Sequence, residues 1–465
     1  MMNRVLLIAI TGWVWSAGLA VAQGVRRDVS RESRPLVLSL REAEELAFRN
    51  NPAIKAATSK LRLSRAKRAS ASHARFLPKS TLRNVWGPIP RARGVFTETG
   101  VLTSPDTTTG LSDMRFFTEV DVDLVQPIWT FGKLGGLRTA AESGVDAAAA
   151  EVTRSRADVQ LQIRKAYWGL VLGYELLKVV EDAQAQADTA ENKLQELFDQ
   201  GSDEVSQNDL FKFRIFGYEI GKQHREALDR IELGKAALRA AMGLDPTTDL
   251  VLETEFLDPL DVELDSLPAY TALALRSRPE ISQLDAGIAA RSAMLRVARS
   301  DYLPQFFFGA QIKFNRAPSR FDPRNPFVYN PTNFFRPGFV LGLNWNFNIF
   351  QTRDRARIAR FELAAISQQE EPLRAGIRLD VRKAYLRAKQ AKQNIEESRG
   401  ALKASDNWLR AELQTFDLGV GDVKDVIEAF RANSTMKTEY LKNVFELNSA
   451  LAELSRAVGR DLYPR

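Results

Sequence analysis

In the second half of the chain, hydrophobic and polar positions alternate strictly. Phe306, Phe308, Ala310, Ile312 and Phe314 share one face of an extended segment. Phe339, Leu341, Leu343, Trp345, Phe347 and Ile349 share one face of the next, with Gly342, Asn344, Asn346 and Asn348 between them. A period of two over that length predicts strands with one face in an apolar medium and one in water, as in a sandwich or a membrane barrel. The first half repeats the pattern more weakly, Val120, Val122 and Leu124 alternating with Glu119, Asp121 and Asp123. A strand of about 12 residues tilted roughly 40° crosses on the order of 30 Å, close to the hydrocarbon thickness of a bilayer. Pro/Gly-rich stretches from Gly87 to Met114 and from Asn315 to Pro337 are expected as the loops joining each pair of strands.

Elsewhere the period is helical. Ser39 followed by Glu42 predicts a capping box, and Asn51-Pro52 a break at which Asn caps and Pro opens a second helix running to about Arg75. From Val159, apolar or small residues step by fours and threes through Ile163, Ala166, Leu170, Gly173, Leu177 and Val180, then Ala183, Ala187, Ala190, Leu194 and Leu197. Ile377, Val381, Ala384, Ala388, Ala391 and Ile395 repeat that coiled-coil seam. No proline falls between Lys133 and Gln200, so one helix there would run roughly 100 Å. The return helices are expected near Val205 to Met242 and Val423 to Val458, after reversals at Gly201 and Gly419.

These elements occur twice, with a period of about 220 residues, too long for a solenoid unit. Asn51-Pro52 matches Arg278-Pro279, Phe76-Leu77-Pro78 matches Tyr302-Leu303-Pro304, and Ile128-Trp129 is set against Ile349-Phe350. Arg164 to Tyr167 matches Arg382 to Tyr385, Phe198 to Gly201 matches Phe416 to Gly419, and Met242-Gly243 matches Val458-Gly459. Each half reads helix, strand, loop, strand, very long helix, turn, long helix. The division expected is a signal peptide over 1–22, a first repeat over 23–243, a linker over 244–266 and a second repeat over 267–465. The signal rests on Arg4, the apolar run to Val21 and the small residues Ala20 and Ala22 before Gln23; a retained anchor is the other reading.

Composition narrows the choice. The chain has no cysteine, so it can hold neither a disulfide, nor a thiolate metal site, nor a lipid-bearing amino-terminal Cys. After the leader no stretch approaches the roughly 18 apolar residues of a spanning helix, which leaves a barrel as the way across a membrane. The net charge of +7 is spread along the chain without a basic block interleaved with aromatics, which argues against nucleic acid. His73 and His224 are isolated, and no phosphate-cradling loop or nucleophile elbow is present, so no enzyme, metal or cofactor is expected. Four strands leave two edges with unpaired backbone groups, so several copies must pool strands to close a barrel.

With this ordered set of landmarks, Leu38 to Leu462 resembles the TolC-type outer membrane factor family, the likeness being carried by Asn51 to Ile54, the Leu-Pro pairs, Gln126 to Trp129, both Arg-Lys-Ala-Tyr segments and the tip turns. The resemblance implies a mainly α chain with membrane β: a homotrimer with a 12-stranded outer-membrane barrel, four strands per chain, continued by a long periplasmic coiled-coil α-barrel closed at its tip. It implies an exit duct docked to a periplasmic adaptor and to an inner-membrane transporter of RND, ABC or MFS type, for efflux or type I secretion; cargo is not specified. It puts Asp425 and Glu428 at the pore constriction, where carboxylates from three chains would favour cations. The turns Gly201 and Gly419, with Phe198 and Phe416, are expected to meet the adaptor. Gly421 and Gln207 depart from the polar pairs that latch the family's tip. The alternative reading is a surface adhesin or coiled-coil scaffold.

Overall fold

The computed structural model describes residues 36–76, 78–91, 95–97, 101–104, 114–200, 206–320, 322, 327, 329–418 and 422–463. The leader expected over 1–22 and the turn glycines Gly201, Gly419 and Gly421 lie outside the described residues. The chain runs β1 (Leu36–Leu38), α1 (Leu40–Asn50), α2 (Pro52–Phe76), β2 (Lys79–Pro90), β3 (Val95–Phe96), β4 (Leu102–Ser104), β5 (Met114–Trp129), α3 (Lys133–Asp199) and α4 (Gln207–Met242). It continues with β6 (Leu250–Leu252), α5 (Leu267–Ser277), α6 (Pro279–Ser300), β7 (Gln305–Arg316), β8 (Phe334–Asn344), α7 (Ile349–Ser367), α8 (Glu370–Asp417) and α9 (Val423–Val458).

Local chemistry explains the helix boundaries. The Ser39 hydroxyl accepts the Glu42 N–H at 3.3 Å and the Glu42 carboxylate accepts the Ser39 N–H at 2.9 Å, closing the capping box that opens α1. At the α1/α2 break, Asn51 Oδ1 accepts the Ala53 N–H at 2.8 Å, and Pro52 occupies the first helical position, where its missing N–H costs nothing. The Asn51 amide donates to the Ala241 carbonyl at 2.7 Å, satisfying an acceptor that the end of α4 leaves orphaned. The second repeat builds the same joint: Arg278 precedes Pro279 and donates to the Ala457 carbonyl at 3.1 Å, and the Ser277 hydroxyl donates to Val458 at 2.9 Å. Gly243 and Gly459 end α4 and α9 with φ of 67° and 75°. A Cβ on Gly243 would lie 2.8 Å from the Asn50 carbonyl oxygen, and one on Gly459 3.0 Å from Ser277 backbone. Glycine is therefore required twice over at both joints.

β2, β5, β7 and β8 form one antiparallel sheet in that order. The helices beneath follow the same order, since α2 packs on α3, α3 on α6 and α6 on α7. Each strand thus continues into its own helix. Farther down, α3 pairs with α4 and α8 with α9, and α3 also packs on α9. The seams read from the sequence are buried in these pairs: Val159, Ile163 and Leu170 in one cluster, Ala187, Ala190 and Leu194 in a second, and Ile377, Val381, Ala384 and Ala388 in a third. β1 and β6 form a separate parallel pair.

Three expectations need correction. β8 starts at Phe334, before Pro337, and ends at Asn344, so Trp345, Phe347 and Ile349 are not strand residues. Its end is set by its neighbour: Asn344 pairs with Gln305, the first residue of β7, and Pro304 before it has no N–H to extend the ladder. Beyond that point the chain turns, with Asn346 Oδ1 accepting the Asn348 N–H at 3.1 Å. Likewise β2 reaches Pro90, past Gly87; within one chain both proline-bearing strands have a neighbour on one side only. The long helix of the second repeat is interrupted between Ser367 and Glu370, where Pro372 falls in the first turn of α8. Finally, the strand-to-helix passages match as Trp129-Thr130-Phe131 and Trp345-Asn346-Phe347, with ring centroids 5.9 and 4.7 Å apart, and not through Ile349-Phe350, which already opens α7.

Candidate functional site: a two-faced sheet and a helical tip

Directly paired residues of an antiparallel sheet project to the same side. One side carries Phe335, Phe339, Leu341 and Leu343 of β8, Phe306, Phe308, Ile312 and Phe314 of β7, Val120, Val122 and Leu124 of β5, and Leu82 and Trp86 of β2. Many are well exposed, Phe339 at 76% and Leu341 at 75%. The other side carries charge: Arg83 pairs with Asp121 at 2.6 Å and Glu119 at 3.4 Å, and the Gln311 amide donates to Asp123 at 2.6 Å. The edges β2 and β8 each have a neighbour on one side only. A sheet apolar on one face, charged on the other and open at both edges has the two-faced chemistry that a barrel wall in an apolar medium requires.

At the opposite end, the ends of α3 and α8 and the starts of α4 and α9 share an apolar cluster around Leu194, Phe213, Phe216, Phe416, Val426 and Phe430. Phe198 is exposed at the last turn of α3, whereas Phe416 is buried and supports the tip from within. α4 opens with a capping box, the Asp209 carboxylate accepting from Ser206 N at 3.1 Å and from Lys212 at 2.9 Å. Burial pushes the Asp209 carboxyl up, but these bonds outweigh it and hold it below the ordinary aspartate range. α9 is capped by Asp422, which accepts the Lys424 N–H at 2.8 Å.

Asp425 and Glu428 both lie on the exposed side of the first two turns of α9, opposite Val426, Ile427 and Phe430. The sequence reading missed their neighbour Lys424, which stands 3.7 Å from Glu428 and balances part of its charge; the i, i+4 spacing could have revealed it. It also missed the link between the hairpins, where Arg431 pairs with Glu219 at 2.9 Å and lies 5.7 Å from the Phe216 ring. That pair spans more than 200 positions and leaves no local signal. Gln207 is exposed as the first residue of α4. His73 is exposed on α2, and His224 stands 3.7 Å from Glu181. Among the described residues no group of His, Cys, Asp or Glu is arranged to hold a metal, and no helix is long and apolar enough to cross a membrane.

This architecture, a two-faced antiparallel sheet set on a column of coiled-coil hairpins, is that of outer-membrane channels. It is shared with the outer-membrane channel OprN (16% identity, 91% of each chain covered, TM-score 0.72). It is also shared with the Campylobacter jejuni CmeC outer membrane channel (16% identity, 94% of this chain and 91% of that one, TM-score 0.72) and the Vibrio cholerae outer membrane protein VceC (16%, 91% and 96%, TM-score 0.72). Residues 271–460, nearly all of the second repeat, match the family model of the outer membrane efflux proteins, which bears out the resemblance read from the sequence. The family and the structural neighbours are channels, not enzymes. No curated protein matches the chain in sequence.

Proposed function

We propose that the chain is one protomer of a homotrimeric outer-membrane exit duct, which passively carries substrates from an inner-membrane pump across the periplasm and outer membrane. The carrying observation is the sheet, whose apolar face is exposed, whose opposite face is charged and whose edges are unpaired. In lipid such edges must be paired, and a second copy of this chain offers β2 to β8 in antiparallel sense. Three copies make a 12-stranded barrel, and the helices beneath continue it as a tube into the periplasm. The repeats, over 23–243 and 267–465 around a linker at 244–266, supply two hairpins each to wall and tip.

At the tip, Asp425 and Glu428 line the constriction and favour cations, with Lys424 moderating the field. Arg431–Glu219 holds the two hairpins of a protomer together. Phe198 and the connections from α3 to α4 and from α8 to α9 are the surface offered to a periplasmic adaptor, behind which stands an RND, ABC or MFS transporter; Phe416 stiffens that surface from inside. The duct performs no chemistry on its cargo and needs no cofactor.

Detergent extraction from the outer-membrane fraction with mass measurement tests the assembly: a trimer is expected, and a water-soluble monomer would refute the duct. Single-channel recording tests the constriction. Asp425→Asn with Glu428→Gln is expected to lower cation over anion preference, and an unchanged preference would remove these residues from the pore.

A further inference from the structure

Just beneath the sheet, the first turns of α3 and the last turns of α6 leave an open cleft of about 520 Å³. Its side of the molecule is fixed by Phe131, which forms one wall and whose ring stands 6.4 Å from that of Phe306, a residue of the sheet's apolar face. Gly136 brings the two helices together at the floor, since a Cβ there would come within 2.7 Å of Val297. Gly135 beside it has nothing within 4 Å of where a Cβ would stand, so the cleft is open at that point. Arg296 and Arg299 form the opposite wall, both exposed. Arg296 donates to the Ser292 hydroxyl at 3.5 Å, and among the described residues neither guanidinium has a carboxylate partner. The nearby Asp301 is taken by Lys133 at 2.8 Å.

From the sheet downward the order is therefore an apolar band, then aromatic rings at Trp129, Phe131, Trp345 and Phe347, then unpaired arginines around a cavity. That is the order of chemistry at a membrane surface: acyl chains, glycerol and then phosphate. We infer that this cleft is a phospholipid headgroup site, in which Arg296 and Arg299 take the phosphate of an anionic lipid in the leaflet next to the helices, while Phe131 and Leu303 pack on its glycerol and upper acyl carbons. Such a site ties the barrel's lower rim to the membrane non-covalently. The inference rests on the reading above that the sheet's apolar face meets lipid.

The test is native mass spectrometry of the full assembly, purified in detergent, delipidated and offered equimolar phosphatidylglycerol and phosphatidylcholine. Preferential retention of phosphatidylglycerol is expected, falling on the order of 10- to 30-fold in R296Q/R299Q. R296K/R299K is expected to restore most of it. Gly135→Leu, which fills the cleft without altering charge, is expected to lower retention of both lipids. Retention by R296Q/R299Q equal to that of the unsubstituted protein, or displacement of the lipid by millimolar inorganic phosphate, would overturn the assignment. A chain that enters detergent micelles and assembles, yet shows no preference between the lipids, overturns the headgroup site alone; one that stays in water as a monomer overturns the duct as well.

Discussion

The two repeats solve one packing problem with different polar groups. In the first, the joint between its short helices docks on the end of α4 through a neutral amide, Asn51 to Ala241. In the second, Arg278 takes that place and brings an ionic cluster with it: Glu280 at 3.0 Å, Asp380 at 3.4 Å, and Arg456, which bonds Glu280 at 2.8 Å and also pairs with Asp158. The Arg-Lys-Ala-Tyr segments diverge in the opposite direction. Arg164 is buried, held by Glu44 at 2.6 Å and Asp461 at 2.7 Å and stacked 3.7 Å from the Tyr463 ring. Its counterpart Arg382 is exposed. Tyr167 is fully buried and donates to the Leu38 carbonyl at 3.2 Å, while Tyr385 is only partly covered. The difference follows from the partners: Asp461 and Tyr463 of the tail after α9 close over Arg164, and Leu38 and Thr254 meet the Tyr167 hydroxyl. Backbone geometry, Pro after the joint and Gly at the helix end, has survived duplication; side-chain chemistry has followed each copy's new neighbours.

The largest test of that contrast is Arg164→Ala against Arg382→Ala. Removing Arg164 leaves Glu44, in a partly buried site, with the Gln160 amide at 3.0 Å as its remaining donor and is expected to cost about 3 kcal/mol, whereas Arg382→Ala should stay within about 0.5 kcal/mol. Denaturant unfolding followed by tryptophan fluorescence reads both, and equal losses would break the asymmetry. Next come the shared glycines: Gly243→Ala and Gly459→Ala should each cost about 1–3 kcal/mol by the same measurement, since each forces a Cβ against backbone at positive φ. A large difference between them would mean the joints are not equivalent. Asn51→Ala is expected to cost about 1 kcal/mol, because it removes both the cap on Ala53 and the bond to Ala241.

The smallest effect is on pH. Burial raises the Glu280 carboxyl, but Arg456 and Arg278 outweigh it and hold it below the ordinary glutamate range. A lowered folded value means the contribution is present above the unfolded value, about 4.3, and is lost as pH falls below it. Hydrogen exchange is therefore expected to loosen the second joint before the first between about pH 5 and 3. Glu280→Gln should abolish that difference.

What the sequence made legible was local or periodic. Ser39 with Glu42, Asn51-Pro52 and the seams from Val159 and Ile377 each carry their cause within a few turns, and the structure has them as read. The end of β8 is not local: Trp345 to Ile349 keeps a period of two, while the stop is imposed by Pro304, just before the neighbouring strand. The break before α8 is legible locally, in Pro372. The roles of Arg164, Arg431 and the tail residues Asp461 and Tyr463 depend on partners hundreds of positions away, which no spacing rule detects. Asp425 and Glu428 carry no signal of their own and stand out only through resemblance, whereas Lys424, four residues before Glu428, is legible from spacing.

The count of strands in the sheet has one more consequence. With four antiparallel strands, β2 and β8 run in opposite directions, so identical copies can be joined around an axis by the same kind of ladder that operates within each copy. Losing one strand would spoil that parity and demand a parallel seam, whereas losing or gaining a whole hairpin would preserve it. Such a wall can change its girth over evolutionary time only in hairpin steps, and a gene that doubles its own hairpin-bearing half is already counting in that unit.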